Sequence, residues 1–183
     1  MKKFAIVALM AFTGFVNAAS VTFEGQDQLG DKGAKNSTNY QVSVKESISK
    51  TFAGDVSFTN YQQHQTEALS TRIEAGVTGS LPVGPIGVYT RVALGEKYSN
   101  TGNFAYYSIE PGVTYTIGAV TAKVGYRYRT AVVDPNVSND TTDTVRAGIS
   151  YAITKTDAIG FRFDRVKGDS TNHSYNLAYT RSF

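Results

Sequence analysis

The sequence predicts an all-β fold, a transmembrane antiparallel up-and-down β-barrel of ten strands. Apolar and polar residues alternate with a period of two along ten stretches, which is the pattern of strands that have one apolar face. The connections between these stretches are alternately short and longer, as expected when successive strands run up and down between two different ends. No run of about 18 apolar residues occurs after residue 18, so no membrane helix is predicted there.

The first 18 residues have the features of a secretory signal peptide. Lys2 and Lys3 give a positive start, residues 4–16 are apolar, and small residues precede Ala19. We expect cleavage before Ala19, which leaves residues 19–183 as a single barrel domain. The two lysines leave with the signal peptide, so the formal net charge of +3 falls to +1. A nearly neutral exported domain is not expected to bind nucleic acid.

The sheet is predicted to close into a barrel because the chain is exported and has no predicted membrane helix. Lipid contains no water to satisfy backbone N–H and C=O groups, so a sheet that crosses it has to pair both of its edges. The sequence contains no cysteine, which excludes disulfide bonds. It also contains no phosphate-binding loop and no cluster with metal-ligand spacing, so we predict neither a cofactor nor a metal site.

Each stretch is identified as a strand by its own alternation. In the first, Val21 and Phe23 alternate with Thr22 and Glu24, and later stretches set valine, isoleucine or tyrosine against arginine, glycine or threonine. The predicted strands, in chain order, are 19–27, 40–48, 52–62, 70–81, 86–95, 107–117, 120–129, 145–153, 159–164 and 173–183.

Turn residues mark the connections. Pro82 and Pro85 force a turn over 82–85 because proline cannot donate to a strand ladder, and Gly118 marks a tight turn. Pro111 lies inside the sixth predicted strand, where it removes one ladder hydrogen bond, so we expect a bulge or local distortion there. The predicted loops are 28–39, 63–69, 99–103, 131–142 and 167–172.

The strand count and length both fit a membrane. Bacterial single-chain barrels have an even number of strands, and the alternatives to ten are eight or twelve. A strand of about ten residues, rising about 3.3 Å each and tilted about 40°, covers roughly 25 Å, the height of the apolar band of such barrels.

The last stretch, 173–183, ends on an aromatic residue. Its apolar face carries Tyr175, Leu177, Tyr179 and Phe183. This pattern resembles the closing strand of Gram-negative outer-membrane β-barrels, from which Arg181 departs because the family usually has an apolar residue there. In that family the terminal phenylalanine and the alternate apolar residues are an assembly signal. The resemblance therefore implies the outer membrane as location, with its lipid, its lipopolysaccharide and the barrel-assembly machinery as partners.

Aromatic residues gather at the ends of the predicted strands on the apolar faces. Two aromatic girdles around a belt of valine, isoleucine, alanine and leucine are typical of a lipid-facing wall. The alternative is a soluble β-sandwich, which would not place its charged residues on one face of nearly every strand. The predicted girdles comprise Tyr40, Tyr98, Tyr107, Tyr128 and Tyr175 at one end, and Phe52, Tyr115, Tyr151, Phe161 and Phe183 at the other.

The opposite faces are predicted to enclose a polar lumen. Small residues such as Gly76, Gly112 and Gly125 lie between the charged ones and leave room for them. Basic residues outnumber acidic ones by nine to five on these faces. The basic residues are Lys45, Arg72, Arg91, Lys97, Lys123, Arg127, Arg129, Arg146 and Arg162, and the acidic residues are Glu24, Asp55, Glu74, Glu110 and Asp164.

Two interpretations of this lumen remain open. A basic surplus favours a narrow water-filled pore through which small, anionic solutes diffuse passively, because arginine binds carboxylate and phosphate groups bidentately. This arrangement resembles small porins that admit acidic sugars. The alternative is a closed structural or adhesive barrel whose side chains fill the interior. Candidate selectivity residues are Arg72, Arg91, Lys123, Arg127, Arg129, Arg146, Arg162, Glu74, Glu110 and Asp164.

The sequence does not favour an enzyme. Some small outer-membrane barrels are acyltransferases, deacylases or proteases, and such sites need a histidine with a carboxylate or a serine. Only His64 and His173 are present. Ser174 directly follows His173, so the two side chains would point to opposite faces of a strand.

Overall fold

The computed structural model describes residues 19–30, 35–63, 69–100, 102–133 and 141–183. The predicted signal peptide, residues 1–18, lies outside them. The strands are β1 (Ala19–Gly30), β2 (Lys35–Ser47), β3 (Phe52–Gln63), β4 (Leu69–Val83), β5 (Ile86–Ser99), β6 (Phe104–Ile117), β7 (Val120–Ala131), β8 (Thr142–Ala152), β9 (Asp157–Lys167) and β10 (Thr171–Ser182).

The ten strands form one closed antiparallel barrel in chain order. Each strand pairs with its neighbours in sequence, and β1 pairs with β10 to close the sheet. The predicted all-β barrel of ten strands is therefore confirmed, and the alternatives of eight strands, twelve strands or a sandwich are wrong. The described part of the chain contains no helix that is long and apolar enough to cross a membrane.

The connections divide the barrel into two ends. At the short-turn end are 48–51, 84–85, 118–119 and 153–156, where Gly84 (φ 62°) and Gly118 (φ 56°) adopt the left-handed backbone of tight turns. The remaining connections define the long-loop end. Ser20 pairs with Ser182, so β1 begins and β10 ends at the short-turn end.

Several strands are longer than predicted. The predicted loop 28–39 is mostly strand, because β1 continues to Gly30 and β2 begins at Lys35. Both faces of the strands are polar in this region, so the alternation of apolar and polar residues that marks a strand is missing. The β1–β2 ladder nevertheless continues through it, with one shift in register between Gln28 and Leu29. The predicted turn 82–85 is shorter, since Pro82 pairs with Gly87 inside the β4–β5 ladder.

Pro111 interrupts a ladder without changing its register. On β7, Tyr128 pairs with Ile109 and Gly125 with Gly112, while the residues between them are not paired and the offset is the same on either side. On β5, Thr90 still pairs with Pro111. The expected local distortion occurs, but it is a gap in one ladder and not a bulge.

The barrel is apolar outside and polar inside. On the outer wall Val92 and Ile149 are 51 % and 52 % exposed, whereas the side chains of Glu74, Glu110 and Asp164 are buried inside. This inverts the usual arrangement of a water-soluble protein and matches a wall that contacts lipid. Functional polar groups are therefore concentrated in the lumen.

Candidate functional site

The first group of charges inside the barrel is centred on Glu74. Arg91 contacts Asp55 through Nη2–Oδ2 (2.5 Å) and Nε–Oδ1 (2.9 Å), and its Nη1 lies 2.6 Å from Glu74 Oε1. Arg127 Nη2 donates to Glu74 Oε2, and the Tyr106 hydroxyl donates to the same oxygen at 2.9 Å. Asp55, Glu74, Arg91 and Arg127, the Glu74 cluster, thus connect β3, β4, β5 and β7.

A second group extends around the opposite part of the wall. Arg146 Nη1 lies 2.6 Å from Glu110 Oε2, and its Nε lies 3.6 Å from Asp164 Oδ1. The ammonium group of Lys123 is 3.5 Å from Glu110 Oε1. Glu110 therefore has two basic partners, which come from β7 and β8.

Arg162 extends this second group to the first strand. Its Nη1 and Nη2 form two hydrogen bonds to Glu24, of 2.9 Å and 2.8 Å, while Nε donates to Asp164 at 3.0 Å. Its Nη2 also donates to the Asn176 side chain at 3.1 Å. We call Glu24, Glu110, Lys123, Arg146, Arg162 and Asp164 the Glu110 cluster.

These clusters neutralise carboxylates that water scarcely reaches. Glu74, Glu110 and Asp164 are 4 %, 2 % and 2 % exposed, and each has two basic partners. Burying a charge is costly unless it is paired and hydrogen-bonded, so these contacts are needed for the barrel interior to be stable.

Two tyrosines occupy the lumen at different heights, because Tyr89 is opposite Gly112 of β6, six residues along that strand from Tyr106. The Tyr89 hydroxyl donates to Glu110 at 3.2 Å, and a Cβ added at Gly112 or Gly125 would collide with the Tyr89 side chain. A Cβ at Gly95 would collide with Tyr106 in the same way. Glycine at these positions lets the large rings lie flat against the opposite backbone.

A polar cavity of about 420 Å³ lies between these clusters and the long-loop end. We call it the vestibule. Of the described residues that line it, six are basic and Asp164 alone is acidic. The basic residues are Arg72, Lys97, Arg127, Arg129, Arg146 and Arg162.

Three vestibule cations lie over aromatic rings. The Arg72 guanidinium carbon is 5.1 Å from the centre of the Tyr61 ring, and Lys97 Nζ is 5.6 Å from that of Phe104. Arg129 lies 5.3 Å from the centre of the Tyr106 ring. Neither Arg72 nor Lys97 forms an ion pair with a carboxylate of the described residues. Their charges are therefore held in place by stacking and not neutralised by acids.

The structure divides the ten candidate selectivity residues into two sets. Eight of them belong to the two clusters, and Arg72 and Arg129 lie in the vestibule. Tyr61, Phe104 and Tyr106 were not predicted as lumen residues. Their position could have been found, because Phe104 and Tyr106 occupy the same alternate positions as Glu110.

His173 and Ser174 point to opposite faces of β10, as the sequence predicted. The His173 ring stacks on Phe163 with centroids 5.8 Å apart, while Ser174 is fully buried on the other face of β10. His64 lies outside the described residues. Tyr175, Leu177, Tyr179 and Phe183 all face outward and are exposed, as the predicted assembly signal requires, although recognition by the assembly machinery remains a prediction.

Comparisons with known proteins agree on an outer-membrane channel. A family model described as Gram-negative porin matches residues 5–171. An outer-membrane channel from Pseudomonas putida F1 superimposes with a TM-score of 0.59 at 10 % identity, covering 92 % of this chain and 96 % of that one. No curated protein matches the chain.

Two solved porins have a similar fold. The NanC porin gives a TM-score of 0.60 at 11 % identity, covering 89 % of this chain and 100 % of its own. The KdgM porin, solved in complex with disordered oligogalacturonate, gives 0.53 at 12 % identity, covering 90 % and 99 %. At such identities the similarity concerns the fold alone.

Proposed function

Because this chain belongs to the Gram-negative porin family, we propose that it is an outer-membrane channel through which small anionic solutes diffuse passively. Export by a cleaved signal peptide, and recognition of Tyr175, Leu177, Tyr179 and Phe183 by the barrel-assembly machinery, are parts of the same proposal. The channel requires no cofactor and no chemical step.

The charge of the vestibule is the observation that supports anion preference. Six basic residues and one acidic residue line it, so an anion entering from the long-loop end meets an attractive potential. The KdgM porin was solved in complex with oligogalacturonate, which is an acidic sugar. That precedent, from a protein of the same fold, makes carboxylated sugars reasonable candidates.

Arg72 and Lys97 carry the largest share of this proposed selectivity. The charges of Arg91, Arg127, Arg146 and Arg162 are compensated by nearby carboxylates, so their effect on a passing ion is smaller. The guanidinium of Arg72 lies over Tyr61, and no carboxylate of the described residues forms an ion pair with it. Lys123, beside Glu110, belongs to the compensated set.

A closed structural barrel is the second candidate. The two clusters and the rings of Tyr89 and Tyr106 all occupy the lumen, and barrels of about eight strands are filled by their side chains. Solutes can pass only if a path remains open between the two clusters. If side chains close that path, the vestibule is a surface cavity through which nothing is transported.

Planar-bilayer recordings of the folded protein test both candidates. We expect discrete channels whose reversal potential in a KCl gradient indicates preference for chloride. Replacing Arg72→Ala together with Lys97→Ala is expected to lower that preference several-fold, because these two cations carry the largest share of the proposed selectivity. Lys155→Ala with Arg181→Ala removes the same charge at the short-turn end and is the matched control.

The outcomes separate the candidates. An absence of channels over a range of salt concentrations contradicts permeation and favours the closed barrel. Channels that prefer potassium contradict the charge argument but keep the channel. Unchanged selectivity in the Arg72/Lys97 variant rejects the role of these two residues.

A further inference from the structure

Two basic side chains lie on the outer wall without partners. Arg165 and Lys167 occupy alternate positions of β9 with Phe161 and Phe163, which are apolar and face outward. Both basic residues are exposed, and neither forms an ion pair or hydrogen bond with any described residue. Phe163 pairs with Tyr175 of the predicted aromatic girdle, so Arg165 and Lys167 lie beyond that girdle, at the polar boundary of the membrane, where lipid phosphates can reach them.

Acidic residues at the same end of the outer wall have hydrogen-bond partners, in contrast to Arg165 and Lys167. Glu96 accepts a hydrogen bond from the Tyr98 hydroxyl at 2.6 Å, and Asp143 accepts one from Tyr126. Asp27 accepts one from Thr38 at 2.9 Å. These carboxylates are satisfied by neighbouring hydroxyl groups, whereas the two cations on β9 remain available to a ligand from outside the chain.

An apolar groove begins below these cations. A depression of about 360 Å³ on the wall is lined by Gly25, Phe161, Tyr175 and Leu177, with Asp27 and Thr38 at its upper margin. Gly25 faces outward, and a Cβ placed there would meet nothing within 4 Å. The groove therefore exists because β1 has no side chain where its neighbours carry aromatic and aliphatic ones.

The cations and the groove lie on adjoining strands. Arg165 pairs with His173 of β10, and Phe161 pairs with Leu177, which in turn pairs with Gly25 of β1. Arg165 lies four positions from Phe161, which is about 13 Å along the strand. With a strand tilt of about 40°, this corresponds to a depth of about 10 Å, which lies within one leaflet, half of a hydrocarbon core about 30 Å thick.

We propose that Arg165, Lys167 and the Gly25 groove form a binding site for one lipid A molecule of lipopolysaccharide. The phosphates bind Arg165 and Lys167, and an acyl chain lies in the groove against Tyr175 and Leu177. The long-loop end of such barrels faces the cell exterior, where lipopolysaccharide forms the outer leaflet. The site is independent of whether the lumen conducts.

Native mass spectrometry of the folded protein in neutral detergent tests this site. The probes are lipid A with both phosphates, the same lipid A after enzymatic removal of its phosphates, and phosphatidylglycerol. We expect one tightly bound phosphorylated lipid A. Arg165→Ala with Lys167→Ala should weaken its binding about 10- to 30-fold, given the usual effect of a cation near anionic lipid. Lys155→Ala with Arg181→Ala is the matched charge control and should bind as wild type.

A second variant tests the groove. Gly25→Leu fills it without a clash and should also weaken lipid A binding, whereas Ala75→Leu adds a similar side chain to the outer wall elsewhere and should not. Mobility of the unheated protein on SDS gels reports whether each variant is folded. Equal binding of dephosphorylated lipid A or phosphatidylglycerol overturns the lipid A site, as does wild-type affinity in the Arg165/Lys167 variant. Wild-type affinity in Gly25→Leu overturns the groove.

Discussion

The vestibule and the middle of the lumen contain the same kinds of side chain in different arrangements. In the middle, Arg91 and Arg127 share Glu74, and their charges are compensated. In the vestibule, Arg72 and Lys97 lie over Tyr61 and Phe104, and no described carboxylate pairs with them. We therefore propose two roles for the basic residues of one lumen. Those in the middle connect strands through ion pairs, and those of the vestibule attract anions electrostatically.

The largest effect that distinguishes the regions concerns stability. Glu74→Gln leaves Arg91 and Arg127 without a shared anion, and because Arg127 is buried, the free energy of unfolding should fall by about 3 to 5 kcal/mol. Urea unfolding followed by far-UV circular dichroism measures it. Glu46→Gln on the outer face is the control and should change little. A loss below about 1 kcal/mol, the range of surface ion pairs, would show that the Glu74 cluster does not stabilise the barrel.

A smaller effect concerns packing around Tyr89. Gly112→Val places a side chain where the Tyr89 ring lies, and we expect overpacking to lower the free energy of unfolding by about 1 to 3 kcal/mol. Gly25→Val, where nothing lies within 4 Å of the new Cβ, is the matched control. The same urea titration applies. Combining Gly112→Val with Tyr89→Ala should recover part of the loss, and an additive double variant would contradict the contact.

The smallest effect is a response to salt. The Debye length falls from about 10 Å at 0.1 M to about 3 Å at 1 M, so anion preference arising from the solvated vestibule should weaken over that range. The free energy of unfolding should change less, because buried pairs are screened less. Reversal potentials at several mean KCl concentrations measure the first quantity. An anion preference that is independent of salt would locate selectivity at a desolvated position, in the middle of the lumen.

The sequence contained most of the fold because period-two alternation reports both the strand and the face of each residue. Where both faces are polar, as in 28–39, alternation carries no information, and the ends of β1 and β2 were missed. Pro111 was identified as a misfit, but the sequence could not show that the register would continue unchanged beyond it.

The composition of the lumen was more predictable than its pairing. Counting charges by face gave a basic surplus, yet Glu74 has two arginine partners that lie on β5 and β7. Such contacts depend on the stagger between strands around the barrel, which local alternation does not reveal. For the same reason, the stacking of Arg72 on Tyr61 could not be predicted from the sequence.

The seam between β1 and β10 also determines when the barrel can be completed. Eleven residue pairs join Ser20–Gly30 to Asn172–Ser182, so the first and last parts of the chain have to meet before the sheet has no free edge. Contacts between such distant segments form slowly. Until they form, two unpaired strands are open to association with other chains, and an escort that covers them would protect the barrel on its way to the membrane.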